Sequence, residues 1–354
     1  MTEFLQLHVL TSYPPANLNR DDLGRPKTAV FGGHLRLRVS SQSLKRAWRQ
    51  SSVFEEAVGT HKGWRTREMG KRWVYEPLLA AGVDEKLAVG TAKLISAVFA
   101  KLEDQKEKEL LTKQLAHVSP EEKEAIDALV AMVADKRREP TEDELKLLRH
   151  EHRAADIALF GRMLADEPSF NVEAAAQVAH AITVHSITVE DDYFTAVDDL
   201  NDRQEDLGAG HVGETEFAAG VFYLYLCIDR DRLEANLQGD AELAGRTIRG
   251  LIEAVCTVAP AGKQNSFASR AYASFALAER GERQPRSLSV AFLGDIRENP
   301  YLESAIAALR ENVAEFDLVY GPLARERYDF DVPGGQGTLA GLLDFVAAAP
   351  GDAR

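Results

Sequence analysis

Arg36-Leu37-Arg38-Val39-Ser40-Ser41-Gln42-Ser43-Leu44-Lys45-Arg46-Ala47-Trp48-Arg49 changes its period in the middle. Up to Ser40 the side chains alternate, with Arg36, Arg38 and Ser40 on one side and Leu37 and Val39 on the other, which predicts a strand with one cationic face. From Ser41 the period becomes helical. At about 100° per residue, Gln42, Lys45, Arg46 and Arg49 share one face while Leu44, Ala47 and Trp48 fall on the other. The serines at the helix start offer hydroxyls and N–H groups at the positive end of the dipole, a place suited to phosphate. Cations on rigid elements hold a phosphate chain in register without reading its sequence. If Arg36, Arg38, Lys45, Arg46 and Arg49 each neutralise one phosphate of a single strand, log K falls against log salt with a slope of about −3.5.

Toward the N-terminus, Phe4 to Leu10 alternates as a first strand, Leu5, Leu7 and Val9 against Gln6 and His8. Tyr13 to Gly33 has no period and reads as a long loop, of the kind that is often functional; it adds Arg20 and Lys27 to the basic surface. The chain of 354 residues carries a net charge of −14, which argues against a polyanionic partner until its distribution is read. Arg20 to Arg49 holds eight bases and two acids, a segment of +6 in a remainder of −20. No signal peptide or membrane-length apolar run is found, so a soluble cytoplasmic protein with no membrane partner is expected. Cys227 and Cys256 match no metal or redox spacing and read as buried thiols.

Toward the C-terminus, residues 59–165 turn helical and charged. Helix starts are expected at Ser119-Pro120-Glu121-Glu122 and at Thr141-Glu142-Asp143-Glu144, each with a capping-box glutamate. Strand signals return at Ile182–Val189 and Val221–Ile228, the latter apolar on both faces as in a central strand. Between them, Asp191–Glu216 holds nine acids against Arg203, and Gly208, Gly210 and Gly213 interrupt any helix. This reads as an exposed excursion from the sheet. A long apolar or aromatic side chain stacking on a base adds about 1–3 kcal/mol, and Met163 and Phe194 are the candidates.

Together these runs resemble the CasC family, the crRNA-binding backbone subunit of the type I-E CRISPR Cascade complex, within the repeat-associated RNA-binding superfamily. The resemblance is carried by Leu18-Asn19-Arg20-Asp21-Asp22, Gly24-Arg25-Pro26-Lys27, Phe31-Gly32-Gly33 and Ser40 to Ala47. It continues in Asp156 to Met163, Ala179 to His185, Phe194 to Leu200 and Pro260-Ala261-Gly262-Lys263-Gln264. It implies an α+β fold with an RRM-like (ferredoxin-like) palm in 1–58, 179–190 and 220–354, a helical fingers insertion in 59–178 and an extended thumb hairpin in 191–219. It also implies a non-enzymatic protein without cofactor or metal. Its partners would be crRNA, other copies of itself in a filament, other Cascade subunits, and target DNA through the guide. Arg20, Lys27, Arg36, Arg38, Ser40, Gln42, Ser43, Lys45, Arg46, Arg49, Met163, Phe194, Lys263 and Gln264 are the expected RNA contacts. A thumb of −8 suits the basic surface of the next subunit, so Asp198 and Asp199 are expected to serve assembly.

Two other classes compete. Asp21 with Asp22, or Asp198 with Asp199, would hold a divalent ion in an RNA endonuclease, but paired aspartates are mostly turn or capping residues and no general base accompanies them. His150, His152, His180 and His185 have no standard zinc spacing and read as packing or surface residues. A scaffold that does not touch RNA would leave the basic face without a use.

Overall fold

The computed structural model describes residues 2–196, 211–297 and 299–348. Its strands are β1 (Phe4–Ala16), β2 (Thr28–Phe31), β3 (His34–Val39), β4 (Trp64–Thr66), β5 (Ala116–Val118), β6 (Ala176–Val178), β7 (Ala181–Thr183), β8 (Glu190–Ala196), β9 (His211–Asp229), β10 (Phe275–Gly281) and β11 (Glu326–Asp331). Its helices are α1 (Ser41–Arg49), α2 (Ser52–Val58), α3 (Glu76–Ala80), α4 (Glu85–Phe99), α5 (Pro120–Lys136), α6 (Ala155–Phe160), α7 (Arg230–Asn236), α8 (Ala241–Thr257), α9 (Gln264–Phe267), α10 (Tyr301–Tyr320) and α11 (Leu339–Ala347). The chain divides into two compact units, one of residues 1–54, 178–227 and 248–354 and one of 55–177 and 228–247.

The first unit is built on a sheet of order β11-β10-β1-β9-β7-β3-β2. β1 and β7 flank β9, while β9 and β10 flank β1, so two β-helix-β connections interleave as in the ferredoxin-like arrangement. Four of its ladders are antiparallel, with Phe4 opposite Gly281, Phe275 opposite Asp331, Ile182 opposite Tyr223 and Arg38 opposite Ile182. β1 is an interior strand between β10 and β9, and both of its faces are buried. Leu5, Leu7 and Val9 fill one side, and Gln6 and His8 on the other are buried too.

Burying that polar side requires partners. The Tyr223 hydroxyl takes the Leu288 N–H at 2.9 Å and meets His8 Nδ1 at 2.9 Å, so it donates there and leaves His8 Nε2 to donate to Glu279 at 3.3 Å. Glu279 also accepts from Arg286 at 2.8 and 3.1 Å and from Arg327 at 2.7 Å. Leu10, Val184, Tyr223, Phe275, Phe292, Ile306 and Leu309 pack beneath.

The loop expected over Tyr13–Gly33 is partly a hairpin. β1 runs on to Ala16, and β2 pairs with β3 from Thr28 opposite Leu37 to Phe31 opposite His34. The two residues between, Gly32 and Gly33, have φ of 60° and 80°, which the tightest hairpin turn demands at both positions. Strand β7 covers only the start of the expected Ile182–Val189. β9 is 19 residues long, and its first part pairs with β8 from Glu190 opposite Phe217 to Ala196 opposite His211. These are the arms of the excursion; Asp198, Asp199, Arg203, Gly208 and Gly210 lie outside the described residues.

The second unit packs Met69, Val74, Leu78, Ile95, Phe99, Ile126 and Val133 from its helices, with the short pair β4–β5. The capping box at Ser119 is formed, its hydroxyl taking the Glu122 N–H at 3.2 Å and the Glu122 carboxylate taking the Ser119 N–H at 2.9 Å. Thr141 and Glu144 make the same two bonds at 3.4 and 2.8 Å, yet only a turn follows, where a helix was expected. There the Glu144 carboxylate is also forked by Arg138, and Leu147 turns into the core. Residues 228–247, which the sequence reading leaves in the palm, belong with this unit. Asp229 N–H donates to Ala175 O, and the Asn236 amide donates to Ala158 O and Glu173 O. Among the described residues no helix is long and apolar enough to cross a membrane.

Candidate nucleic-acid interface

α1 forms where its wheel places it, with Leu44 and Trp48 buried and Gln42 and Arg46 exposed. Ser40 is its N-cap, and the Ser40 hydroxyl accepts the Ser43 N–H at 3.4 Å. The Ser41 N–H donates to His180 Nδ1 at 2.9 Å. Desolvation first, then the cations Arg38 and Lys27, hold the His180 imidazole below its ordinary pKa, which keeps it neutral and able to accept. Two N–H groups expected for phosphate are therefore taken by side chains of the protein. Ser40 is mostly buried and serves the helix rather than a ligand.

Two of the expected RNA cations are corrected by burial. Arg36 is 0% exposed. Its guanidinium donates to Thr183 O at 3.4 Å, Phe292 O at 3.0 Å and Gly294 O at 3.4 Å and pairs with Asp295 at 3.4 Å, stapling β3 to the segment that follows Phe292. Burial pulls its pKa down and Asp295 opposes that. Alternation along β3 fails as a guide at Arg36 because the Phe292–Asp295 segment covers that face there, while Arg38 on the same face stays partly exposed. Arg49, at the last turn of α1, is also buried and does not belong to an open cationic face.

The remaining cations converge. A groove of about 540 Å³ is lined by Leu18, Asn19, Arg20 and Asp21, by Ser43, Arg46, Ala47 and Gln50 of α1, and by Ala261 and Gly262. Lys27 and Arg38 lie beside the start of α1, close enough to shift His180. Arg46 is aligned by a 3.2 Å bond from its Nε to Gln50 Oε1. Among the described residues, Arg20, Lys27, Arg38 and Arg46 form no ion pair.

Gly262 makes the groove possible. A Cβ there would stand 2.3 Å from Leu18 O, so only glycine lets the 260–264 loop lie against the end of β1. Lys263, in the left-handed region at φ 47°, directs its Nζ to Thr215 Oγ1. The Gln264 amide donates to Pro260 O at 2.7 Å and Ser269 Oγ at 3.3 Å and holds its own loop. Sequence reasoning missed Asn17, which is buried and bridges two walls, its Nδ2 donating to Gly24 O at 2.9 Å and Glu216 O at 3.0 Å. Nothing in the spacing of Asn17 announces this.

A second recess of about 330 Å³ shares Arg20 and reaches the root of the β8–β9 hairpin through Gly24, Arg25, Asp191, Thr215, Glu216 and Lys263. Asp191 stands opposite Glu216, and Arg25 relieves that pairing with an ion pair to Glu216 at 3.3 Å. Phe194 lies over Gly213 across the strands, and a Cβ at Gly213 would meet its ring at 2.4 Å. Met163 is in the second unit and is 86% exposed. Lys45 is half-buried on α1.

Asp21 and three of the histidines named in the rival readings are engaged locally. Asp21 Oδ1 accepts the Leu23 and Arg25 N–H groups, both at 2.9 Å, and so closes its own turn. His150 stacks on Phe170, His185 stacks on Tyr301, and His152 is buried in the second unit.

Residues 5–332 match the family described as CT1975-like protein. A solved chain titled CRISPR RNA-guided surveillance complex, pre-nicking, is 31% identical, with a TM-score of 0.83 over 97% of this chain and 99% of that one. Another, titled CRISPR RNA-guided surveillance complex, is 27% identical, with a TM-score of 0.73 over 98% of this chain and all of that one. No curated protein matches.

Proposed function

We propose, for a chain that belongs to the CT1975-like protein family, that it is a crRNA-binding backbone subunit of a Cascade-type surveillance complex, of type I-E. Copies assemble along the guide in the cytoplasm beside other Cascade subunits and leave its bases free to pair with target DNA. The likeness to two surveillance-complex chains over nearly their whole length supports the class of assembly. The observation that carries RNA binding is the groove between α1 and the 18–21 loop, where Arg20 and Arg46, with Lys27 and Arg38 beside the start of α1, have no carboxylate partner among the described residues. Such a surface suits backbone phosphates and leaves sequence reading to base pairing. A non-catalytic role is supported by Asp21, whose Oδ1 accepts two N–H groups of its own turn.

With Arg20, Lys27, Arg38 and Arg46 each neutralising one phosphate, single-stranded RNA binding should fall with a log–log salt slope of about −2.8. Fluorescence anisotropy of a labelled RNA across a salt series measures this, with RNA integrity followed in magnesium. Salt-independent binding would remove the groove from the interface, and magnesium-dependent cleavage lost in Asp21→Asn would replace the non-catalytic reading with a nuclease.

A further inference from the structure

Asn17 is an amide where burial alone would take an apolar side chain. It is 0% exposed and directly follows the last residue of β1, and its neighbours Ala16 and Leu18 are buried apolar residues. Its Nδ2 donates to Gly24 O at 2.9 Å and to Glu216 O at 3.0 Å, while its Oδ1 has no hydrogen-bond partner among the described residues. Two carbonyls around one end of the amide identify that end as the nitrogen, and both of its hydrogens are used. An acceptor left unpaired in the interior is costly, so what distinguishes this residue is the pair of carbonyls it joins.

Those carbonyls belong to different parts of the site. Gly24 lies in a tight turn, closed by the Asp21 N–H to Arg25 O at 2.9 Å and by Asp21 Oδ1, with the bridge between Arg20 and Pro26 directly behind it. Arg20 and the turn therefore form one small lobe. At its base the lobe is held by Asn19, whose O accepts the Lys27 N–H at 2.8 Å and whose Oδ1 accepts the Ser40 N–H at 2.9 Å, just before α1. At its tip Asn17 joins it to Glu216 of β9, at the root of the β8–β9 hairpin. Arg20 stands between these two fixed points and lines both recesses, the one against α1 and the one against the hairpin root. The ion pair of Arg25 with Glu216 spans the same gap, but its arginine is 60% exposed, and pairs in solvent hold little. We infer that Asn17 is a positioning residue: it ties the lobe that carries Arg20 to the hairpin root and so holds the Arg20 guanidinium in place for one backbone phosphate of the RNA. This rests on the RNA-binding reading and adds to it a buried, uncharged residue that touches no RNA but governs one of its ionic contacts.

The test is the salt slope of single-stranded RNA binding, read by anisotropy with the full chain. Asn17→Ala removes no charge, yet it should make the slope shallower by about 0.7, the share of one phosphate contact, from about −2.8 to about −2.1. Arg20→Ala should give the same slope, and the two substitutions together should go no further. Lower stability alone does not produce this result, because the slope counts the phosphates that the folded protein neutralises. Should Asn17→Ala fail to fold by its melting curve, Asn17→Ser carries the same comparison, since its one hydroxyl hydrogen cannot join two carbonyls. A wild-type slope in the folded Asn17 variant or in Arg20→Ala, or a double variant shallower than Arg20→Ala, overturns the positioning role while salt-dependent binding still stands. Absence of any salt-dependent binding by the wild type overturns the RNA reading itself.

Discussion

The two margins of the sheet in the first unit differ in how many of their cations are paired: beside β3 and β2, Arg36 and Arg25 meet Asp295 and Glu216, but four others do not. On the β1–β10–β11 side five arginines meet carboxylates: Arg286 and Arg327 on Glu279, Arg280 and Arg325 on Glu3, and Arg310 on Asp329 and Asp331. On the β3–β2 side, Arg20, Lys27, Arg38 and Arg46 have no carboxylate among the described residues, although the chain as a whole carries 56 acids against 42 bases. A protein with acids to spare leaves these cations without a carboxylate among the described residues, which is the surface that the proposed RNA-binding role requires. The difference teaches that burial and partner, rather than residue type, separate a structural arginine from a ligand-binding one.

The largest break in this comparison should come from its paired side. Glu279→Ala leaves His8, Arg286 and Arg327 around a vanished charge, and urea unfolding should register a loss of about 3–5 kcal/mol. The salt slope of RNA binding by the folded fraction should not move. A changed slope would mean that the paired margin also faces RNA, and the division would fail.

Acid should act on the same margin in two windows. Burial holds the His8 imidazole below its ordinary pKa, with the Glu279 hydrogen bond opposing, so the folded state stays neutral where the unfolded chain takes up a proton. The unfolded state then binds more protons, and stability falls as pH drops below about 6.5, by at most about 1.4 kcal/mol per pH unit for this group. Glu279 is desolvated, but its hydrogen bonds and charges from His8 and Arg286 hold it well below the usual carboxylate range. Its stabilisation is present above about pH 4.3 and is lost on further acidification toward the folded pKa. His8→Gln should remove one proton's worth of the upper slope in urea melts at pH 5.5 and 6.5. An unchanged slope would place the titration elsewhere, with the similarly lowered His152 the next group to replace.

How much of this was legible in the sequence follows the same line. The change of period at Ser40 announced α1, because the apolar stripe of Leu44, Ala47 and Trp48 has no other use than packing. The excursion showed itself through its acids and glycines. Arg36 misled, since alternation reports two faces of a strand and is silent on whether a second layer covers the outer one; here Phe292, Gly294 and Asp295 do. Gly32-Gly33 is a two-residue hairpin signal, masked because the prolines, asparagines and aspartates before it make the whole of Tyr13–Gly33 read as a loop. Asn17 and Gly262 could not have been found, because their roles depend on Glu216 and Leu18, which only the fold brings to them.

On the unpaired side, Arg20→Ala with Arg46→Ala should make the salt slope shallower by about 1.4. Between 50 and 200 mM salt the affinity would then fall about sevenfold less than in the wild type. Both side chains are exposed, so the melting curve should shift by no more than about 0.5 kcal/mol. Arg36→Met should show the reverse, a lower melting transition with an unchanged slope. If Arg36→Met moves the slope, its guanidinium reaches RNA despite its burial.

The boundary between the two behaviours runs through Ser40, and the smallest effect is expected there. Its hydroxyl is spent on the Ser43 N–H and its own N–H on Asn19 Oδ1 at 2.9 Å, so it belongs to the fold although it adjoins the groove. Ser40→Ala removes an N-cap and should cost about 1 kcal/mol of stability. RNA affinity at a fixed salt concentration should stay within about twofold, because no phosphate contact is lost, and Ser40→Gly should recover most of the stability, since glycine is nearly as good a cap. Anisotropy and urea melts on the two variants decide it. Affinity lost in both, with stability restored in the glycine variant, would show the hydroxyl turning from the helix to a phosphate when RNA arrives, and would move Ser40 to the unpaired side.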